Sequence, residues 1–208
     1  MGGSDDLFSE RGQASRAEFR RRLSADRPMA LEIGFGHGRF LIGLANSSPD
    51  LDVIGIEYQG RWISKATRRI KRAGLTNAFA LKGDARVLLT LDVPPGRLDH
   101  VFVLFPDPWW KPRHSRRRRM FTPELLDVLA RALRPGGTVL LRTDVFGYLE
   151  SSARFVDAHP KFEPVATAPG EGWPWAGVRS RREDKCVEEG VATAERIWRR
   201  RAPSPETR

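Results

Sequence analysis

The chain has 208 residues, 40% of them hydrophobic, and 36 Lys and Arg against 26 Asp and Glu give it a formal net charge of +10. That length can bury one sizeable core, and a single cysteine, Cys186, excludes an internal disulfide framework and fits a reducing cytoplasm. No apolar run approaches the ~20 residues of a membrane span, and the four histidines lack metal-ligand spacing, so neither membrane nor metal is expected. The positive excess points to a polyanionic partner such as nucleic acid.

MGGSDDLFSERG lacks the hydrophobic stretch of a signal peptide, and Asp6 stands where a myristoylation pattern requires Ser or Thr. Residues 1–28 read as a basic N-terminal arm, in which QASRAEFRRRLS either forms a short helix or stays solvated. Residues 29–200 read as one domain, and 201–208 as a disordered tail. Within the domain, MALEIGFGHG is a buried strand ending in a glycine turn, and RFLIGLANSS has helical apolar spacing. DVIGIE is a second strand, RWISKATRRIKRAG an amphipathic helix stopped by Gly74, and NAFALKGDA a third strand with its exit loop. LDHVFVLF is the most apolar strand. TPELLDVLARALRPGG is a helix with a Thr cap and Pro123 in its first turn, halted at 134–137. TVLLRTD, KFEPVAT and VATAERIW are further strands, VFGYLESSARFVDAHP a helix, and 167–185 a functional loop rich in Gly, Pro, Trp and charge. Such alternation predicts an α/β fold with a mostly parallel sheet and helices on both faces.

Gly34, Gly36 and Gly38 form G-x-G-x-G directly between a strand and a helix, where glycine lets the backbone turn sharply and a ligand approach the main chain. Glu57 ends the second strand, where its carboxylate can accept both hydroxyls of a ribose. Asp84 follows the third, placed to receive an adenine amino group. A pyrophosphate binder prefers G-x-G-x-x-G. Here the spacing differs, and Glu32, two residues before the first glycine, would repel phosphate but suit the cationic amino-acid end of S-adenosylmethionine. That balance favours a methyl donor over a dinucleotide.

FPDPWWKPRHSRRRR follows the fourth strand. Pro106 and Pro108 restrict the backbone on both sides of Asp107, Trp109 and Trp110 offer stacking surfaces, and Lys111, Arg113, Arg116, Arg117, Arg118 and Arg119 form a phosphate-attracting cluster. Arg68, Arg69, Lys71 and Arg72 form a second basic patch. A hydrophobic lid with a capping aspartate explains the loop's own chemistry equally well.

Over residues 29–198 the chain resembles the bacterial tRNA (guanine-N7)-methyltransferases. LEIGFGHGRF, GIE, GDA, FPDPWWKPRHSRRRR, LRPGGTVLLRTD and, more loosely, SRRE carry the resemblance. It implies a Rossmann-like class I methyltransferase fold with a seven-stranded sheet, S-adenosylmethionine as donor and a variable-loop guanosine of tRNA as acceptor. By position, Glu32, Glu57, Asp84 and Asp107 match cofactor contacts, and Asp107 also matches the catalytic aspartate. Lys111, Asp144 and the Ser180, Arg181, Glu183 segment match substrate contacts. The family's last motif usually reads Thr-Lys-aromatic-Glu, so Ser180-Arg181-Arg182-Glu183 lacks the aromatic, and Trp110 replaces a commonly basic or polar residue. A methyltransferase for another RNA or for DNA, and a catalytically silent RNA-binding protein on the same fold, remain the alternatives.

Overall fold

The structure, a computed structural model, describes residues 10–107, 120–166 and 172–202. Helix α1 (Glu10–Leu23) precedes the alternating unit β1 (Met29–Ile33), α2 (Arg39–Ser47), β2 (Asp52–Glu57), α3 (Gly60–Arg72), β3 (Ala78–Lys82), α4 (Ala85–Leu91) and β4 (Leu98–Leu104). The second half comprises α5 (Pro123–Ala132), β5 (Leu133–Thr143), α6 (Phe146–Asp157), β6 (Phe162–Pro164), α7 (Arg181–Glu188) and β7 (Ala194–Arg200). The seven strands lie in the order β3-β2-β1-β4-β5-β7-β6, all parallel from β3 to β5, with β7 antiparallel to both its neighbours.

β1 is buried throughout because it pairs with β2 on one side and β4 on the other and is covered on both faces. Strand order reverses between β1 and β4, and in an open parallel sheet the crevice beyond the carboxyl ends at such a reversal is where ligands sit. One core face gathers Phe19, Leu88, Leu125, Leu129 and Trp198; the other gathers Phe40, Leu44, Ile70, Phe102 and Trp175.

One alternative is decided and one expectation changes. Of the two readings of QASRAEFRRRLS the helical one holds, and α1 is not a solvated arm, because Phe19 and Leu23 are buried in the core. Four of its arginines are matched by carboxylates: Arg16 and Arg20 pair with Asp92, and Arg21 and Arg22 with Glu18. Arg97 donates to the carbonyls of Leu23, at 2.6 Å, and Ala25, at 3.0 Å, capping the helix end from outside. The expected loop 167–185 is partly helical, since α7 begins at Arg181. A Ser180-x-x-Glu183 capping box starts it: Ser180 Oγ accepts from the Glu183 N–H, and the Glu183 carboxylate accepts from the Ser180 N–H. Among the described residues no helix is long and apolar enough to cross a membrane.

Candidate active site

The glycine turn leaves β1 at the strand-order reversal. Gly34, Gly36 and Gly38 all have positive φ (74°, 50° and 69°), which side chains rarely tolerate. A Cβ on Gly34 or Gly36 would meet nothing within 4 Å, so the turn presents bare backbone to open space. Gly55 in β2 serves the same turn differently. A Cβ there would lie 2.5 Å from Phe35, and its absence lets the Phe35 ring pack down and hold the turn.

Beside this turn runs a groove of about 340 Å³ whose lining includes Gly34, Glu57, Asp84, Arg86 and Met120. Both strand-end carboxylates predicted from sequence therefore line one groove. Glu57 also shapes it, accepting from the N–H of Gly36 at 3.0 Å and of Gln59 at 2.9 Å. Asp84 caps α4 by accepting from the Arg86 N–H at 2.8 Å. Each oxygen retains a lone pair for a further donor.

Glu32 does not line the groove but lies in β1, 2% exposed, and its Oε2 has no hydrogen-bond partner. Burial pushes its carboxyl up to about 8, with repulsion from Glu57 adding to the rise and the backbone of Leu41 opposing it. A buried carboxyl with an idle oxygen is costly unless something cationic completes it.

Asp107 is exposed, three residues past β4, across the reversal from the glycine turn. The chain leaves β4 through Phe105, the only described non-glycine residue with positive φ, at 49°. Phe105 holds this uncommon conformation while donating its N–H to the Arg142 carbonyl at 2.7 Å. Lys111, Arg113, Arg116 and Arg117, with both tryptophans of the loop, lie outside the described residues.

The residues expected from sequence on the acceptor side gather at the carboxyl end of β5. Asp144 follows the strand and pairs with Arg182. Arg142, in β5 and with its side chain 10% exposed, holds Glu183 of α7 at 2.7 Å and Glu195 of β7 at 2.6 Å. A groove of about 470 Å³, lined in part by Arg142, Val178, Arg179, Glu183 and Glu195, opens beside them. Ser180 and Glu183 are thus engaged in capping and ion pairing, while Arg181 is exposed. A larger groove of about 700 Å³ between α5 and α6 carries none of the site residues expected from sequence.

A family model described as "Putative methyltransferase" matches residues 26–195. The tRNA (guanine-N(7)-)-methyltransferase of Paramagnetospirillum magneticum is 42% identical over 180 residues, spanning 86% of this chain and 74% of that protein. Its namesake in Roseobacter denitrificans is 40% identical over 171 residues, spanning 81% and 72%. This chain belongs to the tRNA (guanine-N(7)-)-methyltransferase family. Among solved structures, the 16S rRNA methyltransferase KamB matches with a TM-score of 0.60 at 19% identity, covering 89% of this chain and 94% of that one. A SAM-dependent O-methyltransferase from Thermotoga maritima matches with a TM-score of 0.55 at 16% identity, covering 93% and 67%. At those identities the likeness is one of fold, the class I methyltransferase architecture.

Sequence reasoning passed over Arg142, which joins the two sides of the site. Its carbonyl holds the exit of β4 two residues before Asp107, and its guanidinium holds the carboxylate that caps α7. An arginine inside the apolar run TVLLRTD was the available signal, since a charge on a buried strand needs partners. The family motif at 180–183 was likewise a capping box in plain view.

Proposed function

We propose that this chain transfers the methyl group of S-adenosylmethionine to N7 of a guanosine in tRNA, in the variable loop as the family resemblance implies. The observation that carries the reading is the buried Glu32 carboxyl, with its Oε2 unpartnered, beneath a bare glycine turn, with Asp107 across the strand-order reversal. The residues present fit the donor. Glu32 would meet its ammonium group, Glu57 its ribose hydroxyls and Asp84 its adenine amine, while the open backbone at Gly34 and Gly36 leaves room against the main chain. The donor supplies an electrophilic methyl on a cationic sulfur.

Guanine N7 carries a lone pair and no proton, so the acceptor needs no general base. What the protein contributes is alignment, and orientation alone can lower a barrier by ~7–11 kcal/mol in favourable cases. Asp107 suits that role, accepting from guanine N1–H or the exocyclic amine so that N7 faces the methyl group, or steadying the donor. Asp144 and the Ser180, Arg181, Glu183 segment stand on the acceptor side, with Arg142 as the positioning residue behind them. Lys111, Arg113, Arg116 and Arg117 supply attraction for tRNA phosphates in this reading, and the cytoplasm is its expected location.

The test is incubation of the protein with labelled donor and unmodified tRNA, followed by nucleoside analysis. Labelled 7-methylguanosine is expected, and its absence, or label in another nucleoside, would overturn the reading.

A further inference from the structure

The outer face of α3 is a separate concentration of charge. The helix carries Arg61, Lys65, Arg68, Arg69, Lys71 and Arg72 and no acidic residue. All six are exposed, and among the described residues none has a carboxylate within ion-pair distance. Arg61, Lys65, Arg68 and Arg72 recur at helical spacing, so they share one side of the helix. Ala66 and Ile70 occupy the opposite, buried side. The helix therefore has no free apolar face to lay on a membrane, which a surface-seeking amphipathic helix requires.

The charges are held in place and joined to the site. The Arg61 guanidinium and the Lys65 ammonium lie 4.9 Å and 4.7 Å from the centre of the Trp62 ring. The His37 ring packs against that indole at 4.0 Å between centroids. Arg69 donates to the His37 carbonyl at 2.9 Å, which ties the helix to the glycine turn itself. Partial burial lowers the His37 pKa first, and then Arg181, Arg69, Lys65 and Arg61 lower it further, so Arg181 of α7 adds to the same positive field. From Arg61 to Arg72 the helix runs about 16 Å, the axial length of about five phosphates of one duplex strand.

We propose that the outer face of α3, continued by Arg181, binds the phosphate backbone of an RNA strand and leads it to the acceptor side of the site. The proposal rests on the RNA-directed activity proposed above, and it adds the surface that holds the RNA body. Phosphate contacts there set register and affinity without reading sequence.

The experiment compares three full-length proteins: the unaltered chain, the variant Arg61→Gln/Lys65→Gln/Arg68→Gln/Arg72→Gln, and a variant of equal charge change, Arg20→Gln/Arg21→Gln/Arg196→Gln/Arg201→Gln. The last removes exposed arginines that already have carboxylate partners. Binding of an unmodified tRNA transcript is measured from low to high salt, with donor affinity and unfolding midpoint as checks that each variant folds. The α3 variant should bind about 10- to 100-fold more weakly at low salt and flatten the log–log salt slope by about 2–3 units, at ~0.7 for each phosphate no longer neutralised. The charge-matched variant should change the slope by less than about 0.7, the share of a single phosphate.

An unchanged slope in the α3 variant overturns the proposal, and so does an equal change in the charge-matched one. Polyglutamate that competes with the tRNA only through α3 would assign the face to an acidic protein and also overturn it. Methyl transfer by the unaltered chain separates the two claims. A flattened slope in a protein that methylates no tRNA would leave the surface standing and sink the activity, whereas an unchanged slope in an active protein would sink the surface alone.

Discussion

Helices α1 and α3 are both arginine-rich, yet their charges do different things. In α1, Arg16 and Arg20 converge on Asp92, whose side chain is fully buried, and Arg21 with Arg22 holds the Glu18 carboxyl down at about 2. In α3 no carboxylate among the described residues answers any of the six cations within ion-pair distance. α1 is an anchored element of the core, and α3 keeps its field for a partner. A net charge of +10 cannot distinguish these cases, because what matters for binding is which cations remain unneutralised.

The sharpest way to break the comparison is Phe19→Ala. If α1 is anchored, losing its fully buried ring should cost about 3–5 kcal/mol in a denaturant titration. A loss under about 1 kcal/mol would mean that α1 merely rests on the surface.

Arg142→Met extends the anchored case to the site. It would strand Glu183 and Glu195 in a half-dry environment and cost about 3 kcal/mol. Donor affinity should hold while transfer to tRNA falls, because α7 loses its hold and the donor groove does not. Equal losses of both would reduce Arg142 to a general stabiliser.

Glu32 is the opposite extreme, a carboxyl with an idle oxygen shut away from solvent. Its folded-state value of about 8 lies above 4.5, so the folded chain retains a proton that the unfolded chain releases. Stability of the ligand-free protein should therefore fall as pH rises from about 4.5 to 8, by up to about 1.4 kcal/mol per pH unit from this group. Melting curves across that range should flatten in Glu32→Gln. Donor binding, which favours the charged carboxylate, should tighten as pH rises toward about 8 in the unaltered protein and lose that dependence in the variant.

The smallest effect belongs to α3. Arg68→Gln with Arg72→Gln should change stability by less than about 0.5 kcal/mol, since neither side chain has a carboxylate partner among the described residues and Gln keeps helix propensity. A larger loss would show that these cations support the fold after all.

Most of what local chemistry controls was legible in the amino-acid order. Apolar runs and glycine punctuation placed β1 to β5 and most of their helices, because burial on both faces of a parallel strand and the positive φ of Gly34, Gly36 and Gly38 are written within a few residues; the seven-residue α4 was passed over as part of the exit loop of β3. Glu57 and Asp84 were legible as strand-end carboxylates for the same reason. The Ser180–Glu183 box was just as local, but the glycines and tryptophans around it suggested a loop.

What depends on distant partners emerged only in the folded chain. Asp92 neutralises Arg16 from 76 residues away, which turns an apparent arm into core. β7 enters antiparallel between β5 and β6 and brings Glu195 to Arg142 across 53 residues. Whether a charge ends up paired, buried idle or free depends on which carboxylate the folded chain carries to it, and no short stretch of sequence contains that information.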